Sequence, residues 1–208
     1  MTHHPSPGLL DHYTGWTVLA KVPSHHATTQ ATPNARERVL EAAYSVAARE
    51  GVAALTLEAV AAEAGVSKGG LLYHFHSKEQ LVSAMVERLC QSFEEASARA
   101  VAADPDPAGR SARAYLAACA GDLGPSTRWL ALVGALTLYP RLLDPWRAAV
   151  LAGRQTDQAE GVDAAAATIV RLAADGLWLG GLLGLPGPGP QLKRKVVDRL
   201  GELTRRQE

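Results

Sequence analysis

The sequence predicts an all-α fold, and three observations carry that prediction. Alanine and leucine are abundant while aromatic residues make up 5% of the chain, a composition that favours helix over sheet. Capping residues and stop residues alternate along the chain at helix-length intervals. No stretch alternates apolar and polar residues for long enough to read as a strand. With 208 residues and 47% hydrophobic content, the chain can bury a substantial core. It divides into an N-terminal arm, 1–33, a three-helix unit, 34–80, and a larger helical part, 81–208.

The arm lacks a basic start followed by a long apolar run, so no secretory signal is expected. It holds five of the seven histidines. His3–His4 and His25–His26 could suggest metal binding, but the favoured reading is a mobile polar arm with no metal site. Its one apolar patch, "GWTVLAKV", either orders itself or touches a partner.

Thr32-Pro33 is expected to open the first helix as cap and first turn. Val39, Leu40, Ala43, Val46 and Ala47 form its apolar stripe, and Gly51 ends it. Thr56 caps a second helix with Leu57, Val60, Ala61 and Ala64 inward, and Gly65 stops it. Ser67 caps a short third helix. Ser77 caps a fourth, with Gln80 completing a capping box. The fourth runs to about Ala103, where "DPDP" breaks it.

Asp106-Pro107 then starts a helix with Tyr115, Leu116, Cys119 and Leu123 along one side. Pro125-Ser126 starts another, holding Trp129, Leu130, Val133 and Leu136, and Pro140 closes it. Asp144-Pro145 starts a third with Trp146, Ala149 and Val150. A long apolar helix follows from about Val162. After the stiff turn "PGPGP", a last helix carries Leu192, Val196, Leu200 and Leu203.

The apolar run "AAAATIVRLAADGLWLGGLLGL", 164–185, is long enough to span a bilayer. Arg171 and Asp175 fall inside it, where charge is costly in lipid. Four apart, they can pair on one helix face, so a packed helix is expected and no membrane is. The two cysteines, Cys90 and Cys119, give neither a disulfide framework nor metal-ligand spacing, and they suit a reducing cytosol. Formal net charge is zero, so a nucleic-acid partner would have to meet a local patch.

That patch is sought in "GVSKGGLLYHFHSKEQL", 65–81. Two helices joined by the short turn in "VAAEAGVSKGG" read as a helix-turn-helix. The second helix of such a unit enters the major groove N-terminus first. Glycines at 69 and 70 cost roughly 1 kcal/mol each against alanine in a helix interior. Their missing side chains would let the backbone approach base edges closely. Ser67 and the free N–H groups of the first turn can hold a phosphate. Lys68, Tyr73, His74 and Lys78 supply further phosphate donors. Leu71 and Phe75 would face inward. The plainer alternative is a tight helical corner with solvated lysines and a surface histidine packed on Tyr73.

Residues 34 to about 85 resemble the DNA-binding domain of the TetR family of transcriptional regulators. The resemblance is carried by "RERVLEAAYSVAAREGVAALTLEAVAAEAGVSKGGLLYHFHSKEQLVSAM". It implies that Thr56, Lys68, Gly69, Gly70, Tyr73, His74 and Lys78 lie at the DNA. Leu72 stands where many relatives carry a tyrosine, and either methyl contact with DNA or internal packing is open to it.

The resemblance further implies a larger helical domain that dimerises and often binds a small ligand. Five of the eleven aromatic residues, including three of the four tryptophans, lie beyond residue 110 and can line an apolar cavity. The candidate ligand set is Tyr115, Trp129, Val133, Leu136, Thr137, Tyr139, Trp146, Arg171, Asp175 and Trp178. The alternative is core aromatics plus an ion pair. Gly176, Gly180, Gly181 and Gly184 leave a shallow face on the apolar helix. By resemblance, helices 162–185 and 190–206 pack against their copies as a four-helix bundle. A two-fold dimer would hold two reading helices one DNA turn apart, roughly 34 Å, over a palindromic operator.

The expected function is a cytoplasmic, homodimeric transcriptional repressor that binds double-stranded DNA and is released by a small-molecule effector. The helix from Lys78 to Ala103 touches both halves and is its natural lever. No Ser-His-Asp set, metal cluster or glycine phosphate loop is recognisable, so no catalysis and no cofactor are expected. The alternatives are a helical small-molecule-binding protein or enzyme whose corner is structural, and a helical adaptor that binds protein.

Overall fold

The computed structural model describes residues 34–121 and 126–205, all of them helix or connecting turn. The expectations for the arm, for Thr32-Pro33, and for Leu123 and Pro125 lie outside the described residues. In chain order the helices are α1 (Ala35–Glu50), α2 (Leu57–Ala64), α3 (Lys68–His74), α4 (Lys78–Ala103), α5 (Arg110–Ala120) and α6 (Ser126–Leu138). They continue with a 3₁₀ turn (Pro140–Leu143), α7 (Asp144–Ala159), α8 (Ala164–Leu182) and α9 (Pro190–Glu202).

Local chemistry accounts for most of the boundaries. Asn34, rather than Thr32, caps α1, and its side chain accepts from the Glu37 N–H at 2.9 Å. Gly65 ends α2 in the left-handed region, φ 64°, which only glycine enters without strain. Ser77 caps α4 as expected, but Gln80 bends back one residue further than a capping box requires. Its side-chain oxygen accepts from the His76 N–H at 2.9 Å, not from that of Ser77.

The start of α5 differs from expectation. Asp106 does not cap it; its carboxylate accepts from the Ala108 N–H and closes a turn, and the helix begins at Arg110. The reason is Arg113, which is buried under the "DPDP" turn. Its guanidinium pairs with Asp104 at 2.7 Å and donates to the carbonyls of Ala108 at 2.7 Å and Asp106 at 2.9 Å. It also reaches the Thr204 hydroxyl at 3.2 Å, which ties the turn after α9 to this corner. Gly109, φ 70°, lies so close that a Cβ would stand 2.3 Å from the Thr204 carbonyl oxygen. Pro140, expected only to close α6, opens the 3₁₀ turn.

Among the described residues, two groups of buried side chains hold the helices together. The first gathers α1, α2, α3 and the first half of α4 with Trp129, Ala131 and Ala135 of α6 and Leu182 of α8. The second joins Ala112, Leu116 and Cys119 of α5 to Val170 and Ala174 of α8, with Val197 and Leu200 of α9 against them. Phe93 and Trp178 pack on both groups. Of the expected stripe on the last helix, Leu200 packs inward, joined by Val197 from outside the stripe, while Leu192 and Leu203 stay exposed.

α8 is long and apolar enough to cross a membrane by length and composition. Its inner face is instead packed, with Val170 and Ala174 fully buried. The expected Arg171–Asp175 pair along this helix does not form. Arg171 turns to α7 and grips Asp157 with two bonds, 2.6 and 3.0 Å, while Asp175 accepts from the Tyr115 hydroxyl at 2.5 Å. Both groups are better served across helices, because Asp157 is buried and needs a cation.

Candidate nucleic-acid interface

The α2–turn–α3 unit is built by its caps. Thr56 accepts from the Ala59 N–H at 3.1 Å and Ser67 accepts from the Gly70 N–H at 3.0 Å. Leu71 and Phe75, 0% and 3% exposed, fasten α3 from beneath. That leaves Ser67, Lys68, Gly69, Gly70 and Tyr73 on the surface, with Leu72 and His74 half-buried. Tyr73 is 80% exposed, and the His74 ring meets it edge-on at 5.1 Å. Thr56 is exposed at the start of α2. The structure thus brings the predicted residues of α3 to one outward tip.

The two glycines differ. A Cβ on Gly69 would meet nothing within 4 Å, so nothing in the described chain requires a bare position there. A Cβ on Gly70 would lie 3.2 Å from the Ser67 hydroxyl and crowd the cap. Gly70 therefore has an internal reason to be glycine, and Gly69 has none.

The lysines are not simply solvated. Lys68 pairs with Glu58 at 2.5 Å, and that pairing holds the Glu58 carboxyl below its ordinary value. The expected concentration of positive charge is thereby partly cancelled at this tip. Glu63, the other acid of α2, is turned away to Arg49 at 3.2 Å. Lys78 donates to the Ala53 carbonyl at 2.7 Å and so ties the start of α4 to the α1–α2 turn.

One cation beside α3 escaped the sequence reading. Arg36 places its guanidinium 5.3 Å from the centre of the Phe75 ring. The signal was a cation in the first turn of a helix, where the helix dipole disfavours it.

The candidate ligand residues pack in two neighbouring groups. Trp129 is buried edge-on to Trp178 at 5.5 Å, and Leu136 and Tyr139 pack on the same first core. Tyr115 and Trp146 instead flank Phe93, at 5.4 and 5.2 Å, a ring missed in the sequence because it sits among acidic neighbours on α4. Arg171 covers the Tyr115 face at 4.8 Å. Burial and the bond to Asp175 push the Tyr115 hydroxyl well above its ordinary value, and burial pushes the Cys119 thiol up to about 12. Val133 is 41% exposed. Thr137 is also exposed and spends its hydroxyl on the Gly134 carbonyl. Among the described residues no group of His, Cys, Asp or Glu could hold a metal ion.

Residues 39–85 match the bacterial regulatory proteins of the tetR family, and residues 109–205 match the tetracyclin repressor-like C-terminal domain. A TetR-family member from Streptomyces coelicolor A3 is 32% identical, with 81% of this chain covering 98% of that one at a TM-score of 0.57. The chain belongs to the TetR family. The multidrug binding protein EbrR, solved in complex with malachite green, is 30% identical over 83% of this chain and 99% of that one, at a TM-score of 0.57. The HTH-type transcriptional regulator TtgR of Pseudomonas putida is 31% identical over 83 residues. That alignment covers 39% of this chain and about two-fifths, 40%, of the curated relative. Membership places the chain among helix-turn-helix transcriptional regulators, and the outward tip of α3 is the second helix of that motif.

Proposed function

We propose that this chain is a cytoplasmic, DNA-binding transcriptional regulator, a dimeric repressor released from a palindromic operator by a small molecule. The observation that carries the reading is Gly69: an exposed helical position with no side chain and, among the described residues, nothing for one to avoid. Such a position makes sense when another surface comes close.

The head is 34–80 and the body 81–208. In the head, Gly69 and Gly70 let the backbone of α3 approach the base edges. Ser67 and the first-turn N–H groups face a phosphate. Tyr73 and His74 lie along the backbone, and Thr56 does so from α2. Lys68 exchanges Glu58 for a phosphate on binding, and Lys78 bridges a phosphate to the α1–α2 turn. Leu72, half-buried, packs α3 and offers at most a methyl contact.

The body supplies the second copy and the effector. Ile169, Leu172, Leu179 and Leu183 are exposed on one side of α8, beside the open positions Gly176 and Gly180. This stripe and the outer face of α9 favour a two-fold four-helix contact. An aromatic small molecule, of the kind EbrR is solved with, would be held near Tyr115, Trp146 and Asp175. It acts only through its differential affinity for the two conformers.

Selection of duplexes from a random pool by the full chain tests the reading. A palindromic consensus is expected, with log K falling by roughly 0.9 per neutralised phosphate as log salt rises. Failure to enrich any duplex, or binding indifferent to salt, would overturn it. Release by a compound panel then tests the effector separately.

A further inference from the structure

The start of α6 is where the body grips the first helix of the head. The Arg128 guanidinium is ion-paired with Glu41 of α1. It also lies 5.2 Å from the centre of the Tyr44 ring. Glu41 and Tyr44 are three residues apart and so neighbours on one helix face, where one planar cation can engage both. Tyr44 is itself anchored: its buried hydroxyl donates to the Met85 carbonyl of α4 at 2.5 Å. Two side chains therefore join α1, α4 and α6.

The next residue looks elsewhere. Trp129, 2% exposed, packs edge-on against Trp178 of α8. Consecutive helix positions are about 100° apart, so α6 presents Arg128 to α1 and Trp129 to α8. Any shift of α8 that moves Trp129 must either carry α1 along or break the grip of Arg128.

We propose that Arg128 is a positioning residue, the clasp through which α8 and α6 set the pitch of α1 and so the presentation of α3. The inference rests on the DNA-reading role given above. The pair is about a third to a half exposed, 34% and 50%, and such pairs contribute little to stability. Loss of the clasp is therefore felt in communication between the ends of the molecule rather than in folding.

Coupling between two sites is reciprocal, so it can be read from the DNA end without knowing the effector. The experiment compares hydrogen exchange in the full-length protein, free and saturated with the selected operator duplex. In the wild type, operator binding slows exchange in α6 and around Trp178 by about fivefold or more, the lower end of ordinary allosteric coupling. In Arg128→Ala the unfolding midpoint stays close to wild type and the slowing around Trp178 disappears. The charge-swapped pair, Glu41→Arg with Arg128→Glu, restores it at least in part. Loss of operator binding in Arg128→Ala with recovery in the swap supports the clasp equally; loss in both overturns it. Full slowing in Arg128→Ala, or none in the operator-bound wild type, also overturns the clasp while leaving the DNA-reading role intact. Failure of the wild type to bind any duplex would sink both.

Discussion

Gly69 and Gly70 stand side by side, yet they answer to different constraints. Adding a methyl group at 69 fills open space and removes backbone freedom from the unfolded chain. Gly69→Ala is expected to stabilise the fold by up to about 1 kcal/mol while weakening operator binding, as read by urea unfolding and by gel shift. Gly70→Ala should give no such gain, because its Cβ would press on the Ser67 hydroxyl at 3.2 Å. A Gly69 variant that binds operator as well as wild type would show that α3 does not approach DNA at that position. Residues whose role is set by neighbours in sequence were the legible ones: the caps Thr56, Ser67 and Ser77, the stop Gly65, and the inward pair Leu71 and Phe75. Arg171 was not legible, since its partner Asp157 lies fourteen positions earlier on another helix while Asp175, one turn away, offered a false match. Here Asp157→Ala leaves a buried guanidinium without its carboxylate. It should cost about 3–5 kcal/mol in chemical denaturation, whereas Asp175→Ala, at an exposed position, should cost much less.

At the scale of elements, the α4–α5 corner shows why sequence reading placed helices better than their joints. "DPDP" announces a break, and it does break α4. What orders the break is Arg113, nine residues beyond Asp104, and no local pattern links the two. The bond from Arg113 holds the Asp104 carboxyl below its ordinary value, with the Asp106 N–H adding to the effect and partial burial opposing it. A carboxyl whose value is lowered by folding lends stability that is complete above its unfolded value, about 3.9, and is lost as pH falls through the folded one. The corner is therefore expected to loosen under acid, beginning below about pH 4. Asp104→Asn should lower stability at neutral pH by roughly 1–3 kcal/mol and flatten the acid dependence of the urea midpoint. An unchanged acid profile in that variant would remove Asp104 from the acid response. The same corner holds the turn after α9 through Thr204, so Asp104→Asn should also raise exchange at the end of α9.

For the whole molecule, the decisive question is what covers α8. Sequence reading singled out its glycines as a close-packing face. The structure adds the apolar residues beside them: Ile169, Leu172, Leu179 and Leu183 are 52%, 62%, 45% and 53% exposed. They follow a spacing of three, seven and four, which is a single helical stripe. Exposed apolar side chains arranged in a stripe mark an association surface more often than scattered ones do. In the proposed two-fold interface each substitution enters twice, so Leu172→Glu sets two carboxylates against apolar surface. Because Leu172 is exposed within one subunit, that change should barely alter the subunit's own folding. It should instead shift sedimentation from dimer to monomer and, with the two reading helices uncoupled, weaken operator binding. Leu151→Glu on α7 is the matched control, equally exposed at 59% but off the stripe, and it should do neither. If Leu172→Glu stays dimeric and Leu151→Glu does not, the two copies meet through α7, and the spacing of the α3 tips along DNA must be rebuilt from that contact.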